Sequence, residues 1–454
     1  MFSRSPSAAV LRLGTLVAVL SAACSVFAGE STTTSSDVTT TVATTTTIAF
    51  PQRSTTSTTI GAGVDPDVAS VLQTEVTSLI RQAEAIRGLQ FVEEPAIALV
   101  SAEEFALLLD NEFEEARDAD AVAADQALYR LLGLLDPGAD LAVMLREAYG
   151  GDYAGFYDPD AGRLVVSASD PDLSAIDRAA LIHEIVHALA DQYFAAGDEL
   201  TALTRGGPSD AGAAFEALVE GDATYFQLVY TQGLSAADRA SIARESGAID
   251  GEAVTGAPAW LLEDLAFPYD AGLEFVTQLV TGGGIAAVDR AYLDPPISTE
   301  QILHPERFRI GEAVRPLPEM DVSLDGYEPA RTGAIGEWGM RRLLHRTLSP
   351  AVLTQTAEGW GADAVATLRS GSEVAFALMY AADSEEDAID VATALVAHAR
   401  SVMGAGNGIE VDGGILFDEG GPWVFIDRIG DGLVFVAATD AAAGRELRPQ
   451  VIVP

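Results

Sequence analysis

The sequence predicts an α+β protein, with a largely helical main domain holding a small sheet and a second, smaller α+β unit after it. Three observations carry this expectation. Long segments place apolar residues at helical spacing, beginning with Val68, Val71, Leu72, Val76, Leu79 and Ile80. Short strand-like runs, "PAIALVS" (95–101) and "GFYDPDAGRLVVSA" (155–168), interrupt them in the first half. After about Ser349 the texture changes to paired strands around one helix. With 454 residues, 48% of them hydrophobic, the chain can form two or three domains with a real core.

The N-terminus is read as export machinery. Arg4 and Arg12 precede an apolar run, Leu13 to Ala23, too short to span a bilayer but suited to a signal peptide over residues 1–24. Two processing routes are open. Val26-Phe27-Ala28 offers small residues for ordinary cleavage and secretion. "LSAAC" puts the single cysteine, Cys24, directly after small residues and resembles a bacterial lipoprotein signal, although Ser21 stands where that pattern has an aliphatic residue. A lone cysteine in an exported chain cannot form an internal disulfide, so a lipid anchor at Cys24 would explain it. Residues 25–63 contain "STTTSSDVTTTVATTTTIAFPQRSTTSTT" and have too little to bury, which predicts a disordered linker with the fold starting at Val64.

The first helix is expected from Asp65, and "PAIALVS" reads as a strand. Ser101, followed by Glu103 and Glu104, reads as a helix start. Two further helices are expected over 121–135 and 141–149. "GFYDPDAGRLVVSA" reads as a hairpin turning at Asp158–Gly162, and the next helix spans about Ser174 to Tyr193. In the second unit, residues 349–454, strands are expected on either side of Ser370-Gly371. A helix opened by Ser384 follows, then "GGILFDEG", "PWVFIDRIGDG" and "LVFVAATD" as strands. No later stretch reaches the length of a membrane span. The net charge of −42, with all 26 basic residues arginine, argues against nucleic acid or an anionic membrane surface as a partner. Membrane attachment is expected only through the N-terminal lipid.

The chemistry concentrates in "LIHEIVHALADQY" (181–193). Residues four apart on a helix share a face, so His183 and His187 can bring ring nitrogens to one ion. That spacing suits Zn²⁺, and Glu184, one step round, can serve as general base. Two histidines do not complete a catalytic shell, which takes three protein ligands. The missing carboxylate is sought in "AAFEALVEGDATYFQLVY" (213–230), an apolar helix carrying Glu216, Glu220 and Asp222. Carboxylates there are costly unless a cation neutralises them.

"HEIVHAL" followed by "ALVEGDA" resembles the glutamate-zinc branch of the HExxH metallopeptidases, the gluzincins. The resemblance implies a zincin-like catalytic domain over 64–348 and zinc held by His183, His187 and Glu220. Glu184 is then the catalytic base, peptides or proteins are the substrate, and Glu216 is the alternative ligand. It makes the 195–210 insertion an extra loop, and gives the strand in "GFYDPDAGRLVV" the role of binding substrate backbone by strand addition. "PPISTEQILHPERF" (295–308) resembles a segment that recurs after the zinc helices in bacterial proteins of this kind. Its His304, fixed between a Ser298-capped turn and Pro305, is either the oxyanion donor or a packed, capping histidine. Tyr157 and Tyr225 are weaker candidates for that donor. His345 and His398 read as ordinary helix-surface positions. Two other activities fit the same residues: a catalytically inert zinc-binding surface protein, and a hydrolase of non-protein amides such as cell-wall peptides.

Overall fold

The computed structural model describes residues 57–116, 119–149, 154–205, 209–251 and 256–454. The expected signal peptide, Cys24 and the linker up to Thr56 lie outside the described residues. The chain is α+β, with a four-stranded mixed sheet and a seven-stranded antiparallel sheet.

In chain order the first half runs β1 (Thr58–Ile60), α1 (Pro66–Arg87), β2 (Ala96–Val100), α2 (Ala102–Ala116), α3 (Ala119–Leu131) and α4 (Leu141–Tyr149). β3 (Gly155–Asp158), β4 (Arg163–Ser167), α5 (Ala175–Phe194), α6 (Ala196–Thr204) and α7 (Asp210–Gly233) follow. The Asp65 side chain caps α1 by accepting from the Asp67 N–H, and Gly88 ends the helix in the left-handed region at φ 78°. The first sheet has the order β1-β2-β4-β3, with β3 antiparallel to β4 and the other pairs parallel. β1 lies within the segment expected to be linker. Pairing Thr58–Ile60 with Ile97–Leu99 covers the edge that β2 would otherwise leave unpaired, so the fold begins before Val64. The 195–210 insertion is also no plain loop. Ala195 turns the chain at φ 51°, and α6 buries Ala196 and Leu200 against the core shared with α7.

α8 (Ala236–Gly251), α9 (Ala259–Gly283), α10 (Ile285–Leu293), α11 (Thr299–Leu303) and α12 (Pro305–Ile310) complete the helical part. α9 packs along α7 with backbones nearly touching: a Cβ placed on Gly221 would lie 2.2 Å from the Gly272 carbonyl oxygen. Only glycine at both positions permits this approach.

The remainder comprises β5 (Glu328–Gly333), α13 (Gly336–Leu344), α14 (Pro350–Ala357), β6 (Trp360–Ser370), β7 (Glu373–Ala382), α15 (Glu385–Ser401), β8 (Ile409–Val411), β9 (Gly414–Phe417), β10 (Trp423–Ile429), β11 (Gly432–Ala438) and α16 (Ala441–Leu447). Its sheet order is β5-β6-β7-β11-β10-β9-β8. Phe376, Leu378 and Tyr380 of β7 face α15, while Ala375, Ala377 and Met379 face the side covered by α16. Burial on both faces explains why β7 reads as a continuous apolar run. Because β5 pairs with β6, this unit starts ahead of the expected boundary at 349. It also shares one core with the first half, since Leu128, Tyr129 and Trp260 pack with Val365, Phe376 and Phe435.

His398, expected on a surface, is fully buried in α15. Its Nε2 lies 2.9 Å from the Leu132 carbonyl and its Nδ1 2.7 Å from the Thr347 hydroxyl, and burial holds its pKa down at about 4. Its partners come from the segment after α3 and from the one between α13 and α14, which the local sequence of α15 does not announce. His345 is half-buried beside Glu263, at 3.2 Å. Among the described residues no single helix is long and apolar enough to cross a membrane.

Candidate metal centre

α5 is built to place two histidines in the interior. A capping box starts it, with Ser174 Oγ accepting from the Asp177 N–H and Asp177 returning a bond to the Ser174 N–H. From Leu181 to Ala190 every residue is buried, because α1 and β3 pack on one side and α7 on the other. His183 and His187 thus point from a buried helix at α7, their ring centroids 4.6 Å apart and nearly perpendicular.

α7 answers with Glu220. Its Oε2 lies 3.1 Å from His183 Nε2 and 3.4 Å from His187 Nε2. The His187 contact lacks hydrogen-bond geometry, so that Nε2 is a buried nitrogen without a hydrogen-bond partner. His183, His187 and Glu220 offer ligand atoms within 4.8 Å of one another, and this buried group could bind a metal ion. A buried polar nitrogen left unsatisfied is costly, and a cation seated among the three donors would use it. The electrostatics agree. Burial opposes charge on His187, yet the Glu220 carboxylate pushes its pKa up to about 9. Burial likewise opposes ionisation of Glu220, but the imidazoles, His187 first, hold it down at about 2.

The carboxylate of the motif itself faces elsewhere. Glu184 Oε2 accepts from the Tyr157 backbone N–H at 3.0 Å, which ties it to β3, the edge strand of the first sheet. The Tyr157 hydroxyl donates to Asp191 Oδ2 at 2.9 Å and is thereby committed. Tyr225 packs edge-on against Phe226.

The remaining acids of α7 separate by face. Glu216, one turn before Glu220, is half-buried and lines a cavity between α7, α9 and α13, outside the three-residue group. Asp222 is fully buried on the far face, where it accepts from Arg87 Nε at 3.0 Å and the Tyr292 hydroxyl at 3.1 Å. His304 sits at the junction of α11 and α12, its Nε2 3.0 Å from Glu337, and among the described contacts none joins it to the three ligands. Ser298 caps α11 through the Gln301 N–H, as the sequence predicts. His304 occupies the cap position between the two helices, but its side chain makes no capping hydrogen bond and is paired with Glu337 instead. Sequence reasoning missed Tyr269, whose ring stacks on His183 with centroids 6.2 Å apart. It also missed Arg87, the buried partner of Asp222. Neither carries a local signal, since each acts through a helix remote in sequence.

A family model described as "Domain of unknown function (DUF8575)" matches residues 325–448, the stretch from just before β5 through α16. No curated protein and no solved structure matches the chain.

Proposed function

We propose that the protein is an exported zinc-dependent metallopeptidase of the gluzincin type that hydrolyses peptide bonds. The observation that carries this reading is the convergence of His183, His187 and Glu220, with Glu184 turned instead towards the edge strand. Two neutral imidazoles and one carboxylate are a donor set suited to catalytic zinc, which keeps a position open beyond three protein ligands. When bound there, zinc supplies a Lewis acid that makes water and a peptide carbonyl reactive near neutral pH.

The chain's own residues do the rest. Glu184 takes the proton of the attacking water and hands it to the leaving amine. β3 aligns the substrate backbone as an added strand. The Tyr157 N–H holds the Glu184 carboxylate in place, and Asp191 holds the Tyr157 ring, so the base is positioned before substrate arrives.

The test joins metal analysis with a peptidase assay on the intact chain. The expected result is about one zinc per chain, lost on His183→Ala or His187→Ala. Glu184→Gln should retain zinc while hydrolysis falls about 10²–10⁴-fold. Full zinc occupancy in the double histidine variant, or wild-type hydrolysis in Glu184→Gln, would overturn the reading.

A further inference from the structure

A second cavity, of about 490 Å³, lies where α3 meets the C-terminal unit, and its volume is that of a small-molecule pocket. α3 lines it with Ala123, Gln126, Ala127 and Arg130, which helical spacing puts on one face. The rest of the lining comes from the β6–β7 hairpin with Arg369 and Ser372, from Met403 just after α15, and from the chain before β10 and after β11. The segment matched by the family model therefore makes one part of the wall, and α3, outside that match, completes it.

The charge of this cavity is opposite to that of the molecule. The chain carries a formal charge of −42, yet two guanidiniums and no carboxylate line the cavity. The acids next in sequence to the lining are bonded elsewhere: Asp125 to Arg331 at 2.6 Å, Glu373 to the Tyr327 hydroxyl at 2.8 Å and Asp440 to the Ala443 N–H at 2.9 Å. Arg130 Nη2 donates to the Ala139 carbonyl at 2.7 Å, and Arg369 Nε to the Gly371 carbonyl at 2.8 Å. Neutral oxygens thus hold both side chains, and among the described residues no carboxylate pairs with either. Further N–H groups of each fork stay available, as does the amide NH₂ of Gln126, whose Oε1 is taken by the Leu141 N–H at 2.8 Å.

Two like charges at one cavity repel each other, and an anion between them relieves that repulsion. Guanidinium forks match a carboxylate in geometry as well as in charge. Arg130 and Leu131 belong to the last turn of α3, whose negative dipole end penalises a dianion such as phosphate. Ala123, Ala127, Leu131, Met403 and Pro422 offer hydrocarbon that an inorganic ion would leave uncovered. An apolar body carrying one carboxylate satisfies both parts of the lining.

We infer that this cavity is a second ligand site, which takes a carboxylate on a short hydrocarbon body between Arg130 and Arg369. The inference goes beyond the peptidase reading and does not depend on it. The carboxylate can belong to a free organic acid or to the end of a peptide chain, and the test separates the two. Hexanoate, hexylamine, hexanol and inorganic phosphate are titrated calorimetrically into the intact chain at low salt. Hexanoate should bind about tenfold or more tighter than each of the others, and high salt should weaken it. Arg130→Gln and Arg369→Gln should each weaken hexanoate about tenfold, because each removes a charge-assisted bond. Ala123→Phe, which fills the cavity and keeps both charges, should weaken it as well. Melting temperature and zinc content are measured on each variant, so that misfolding is seen as such. N-acetyl-alanyl-leucine and its amide make the second arm: an acid form that binds tighter than hexanoate, with the amide inactive, assigns the site to peptide ends, and tighter hexanoate assigns it to free acids. Hexanoate no tighter than hexylamine, hexanol or phosphate overturns the inference on the wild-type chain alone, and so does unchanged affinity in the folded double arginine variant. Neither result touches the metal centre.

Discussion

Gly221→Ala separates a structural claim from a compositional one. Gly221 follows Glu220 within a long helix, and helix propensity alone favours alanine there by about 1 kcal/mol. The structure predicts the opposite sign. A Cβ at residue 221 would stand 2.2 Å from the Gly272 oxygen, 2.3 Å from its carbonyl carbon and 2.8 Å from its Cα. All three are backbone atoms of α9, which cannot swing aside as a side-chain tip would. Reaching the 3.4 Å at which ordinary contact begins requires α7 and α9 to part by more than 1 Å. Overpacking of this kind costs about 1–3 kcal/mol, which exceeds the propensity gain. The parting also moves Glu220, the adjacent residue, and metal sites hold their distances within about 0.2 Å. Urea unfolding of the metal-free chain should show a lowered midpoint, and zinc dissociation should be faster than wild type. Gly272→Ala should behave alike, because its Cβ would come 2.1 Å from the Ala217 oxygen. An unchanged or raised midpoint in both variants would refute the close approach of α7 and α9, and with it the placement of Glu220.

Three further predictions rest on charges. Zinc uptake at pH 7 should release about one proton per chain, because His187, held near 9 by Glu220, must be neutral to act as a ligand; calorimetry in buffers of different ionisation enthalpy measures it, and no release would contradict the buried pair. Asp222→Asn should destabilise the fold by about 3 kcal/mol by leaving buried Arg87 with Asp289 alone, while zinc affinity of the folded chain changes little; an equal loss of zinc would place Asp222 in the metal shell. Asp210 is raised from 3.8 to about 7 chiefly by burial, so the unfolded chain gives up this proton first and stability falls as pH rises from about 4 to about 7. Asp210→Asn should therefore match wild type near pH 3 and exceed it at pH 8 by on the order of 2–4 kcal/mol; equal urea midpoints at pH 8 would refute the shift.

What the sequence made legible follows from how local each signal is. Asp65, Ser174 and Ser384 cap helices by bonding backbone N–H groups two or three residues on, and all three starts appear where the sequence predicts them. The hairpin around Asp158–Gly162 is equally local. Partners distant in sequence carry no such signal. Thr58–Ile60 lies in a stretch too polar to suggest a strand, and it is ordered by the open edge of β2. His398 looked like a surface residue because nothing in α15 shows that Leu132 and Thr347 bond its ring.

The candidate site divides along the same line. His183, Glu184 and His187 are fixed relative to one another by a single helix, so spacing alone brings two nitrogens to one face. Glu220 could be placed only by resemblance, and the geometry distinguishes it from Glu216 and Asp222 by direction: towards the histidines, towards the cavity between α7, α9 and α13, and towards Arg87, respectively. That sorting depends on α9, which reaches α7 through two glycines and sets Tyr269 on His183. The segment matched by DUF8575 enters the same arrangement from the other side, since Trp338 and Val365 close the cavity and Phe376 and Phe435 share a core with Tyr129 and Trp260. A unit that shares its core with α3 and α9 cannot leave without exposing the helices that frame the metal ligands. The C-terminal sheet is therefore part of the scaffold of the candidate site, although it supplies none of the three ligands.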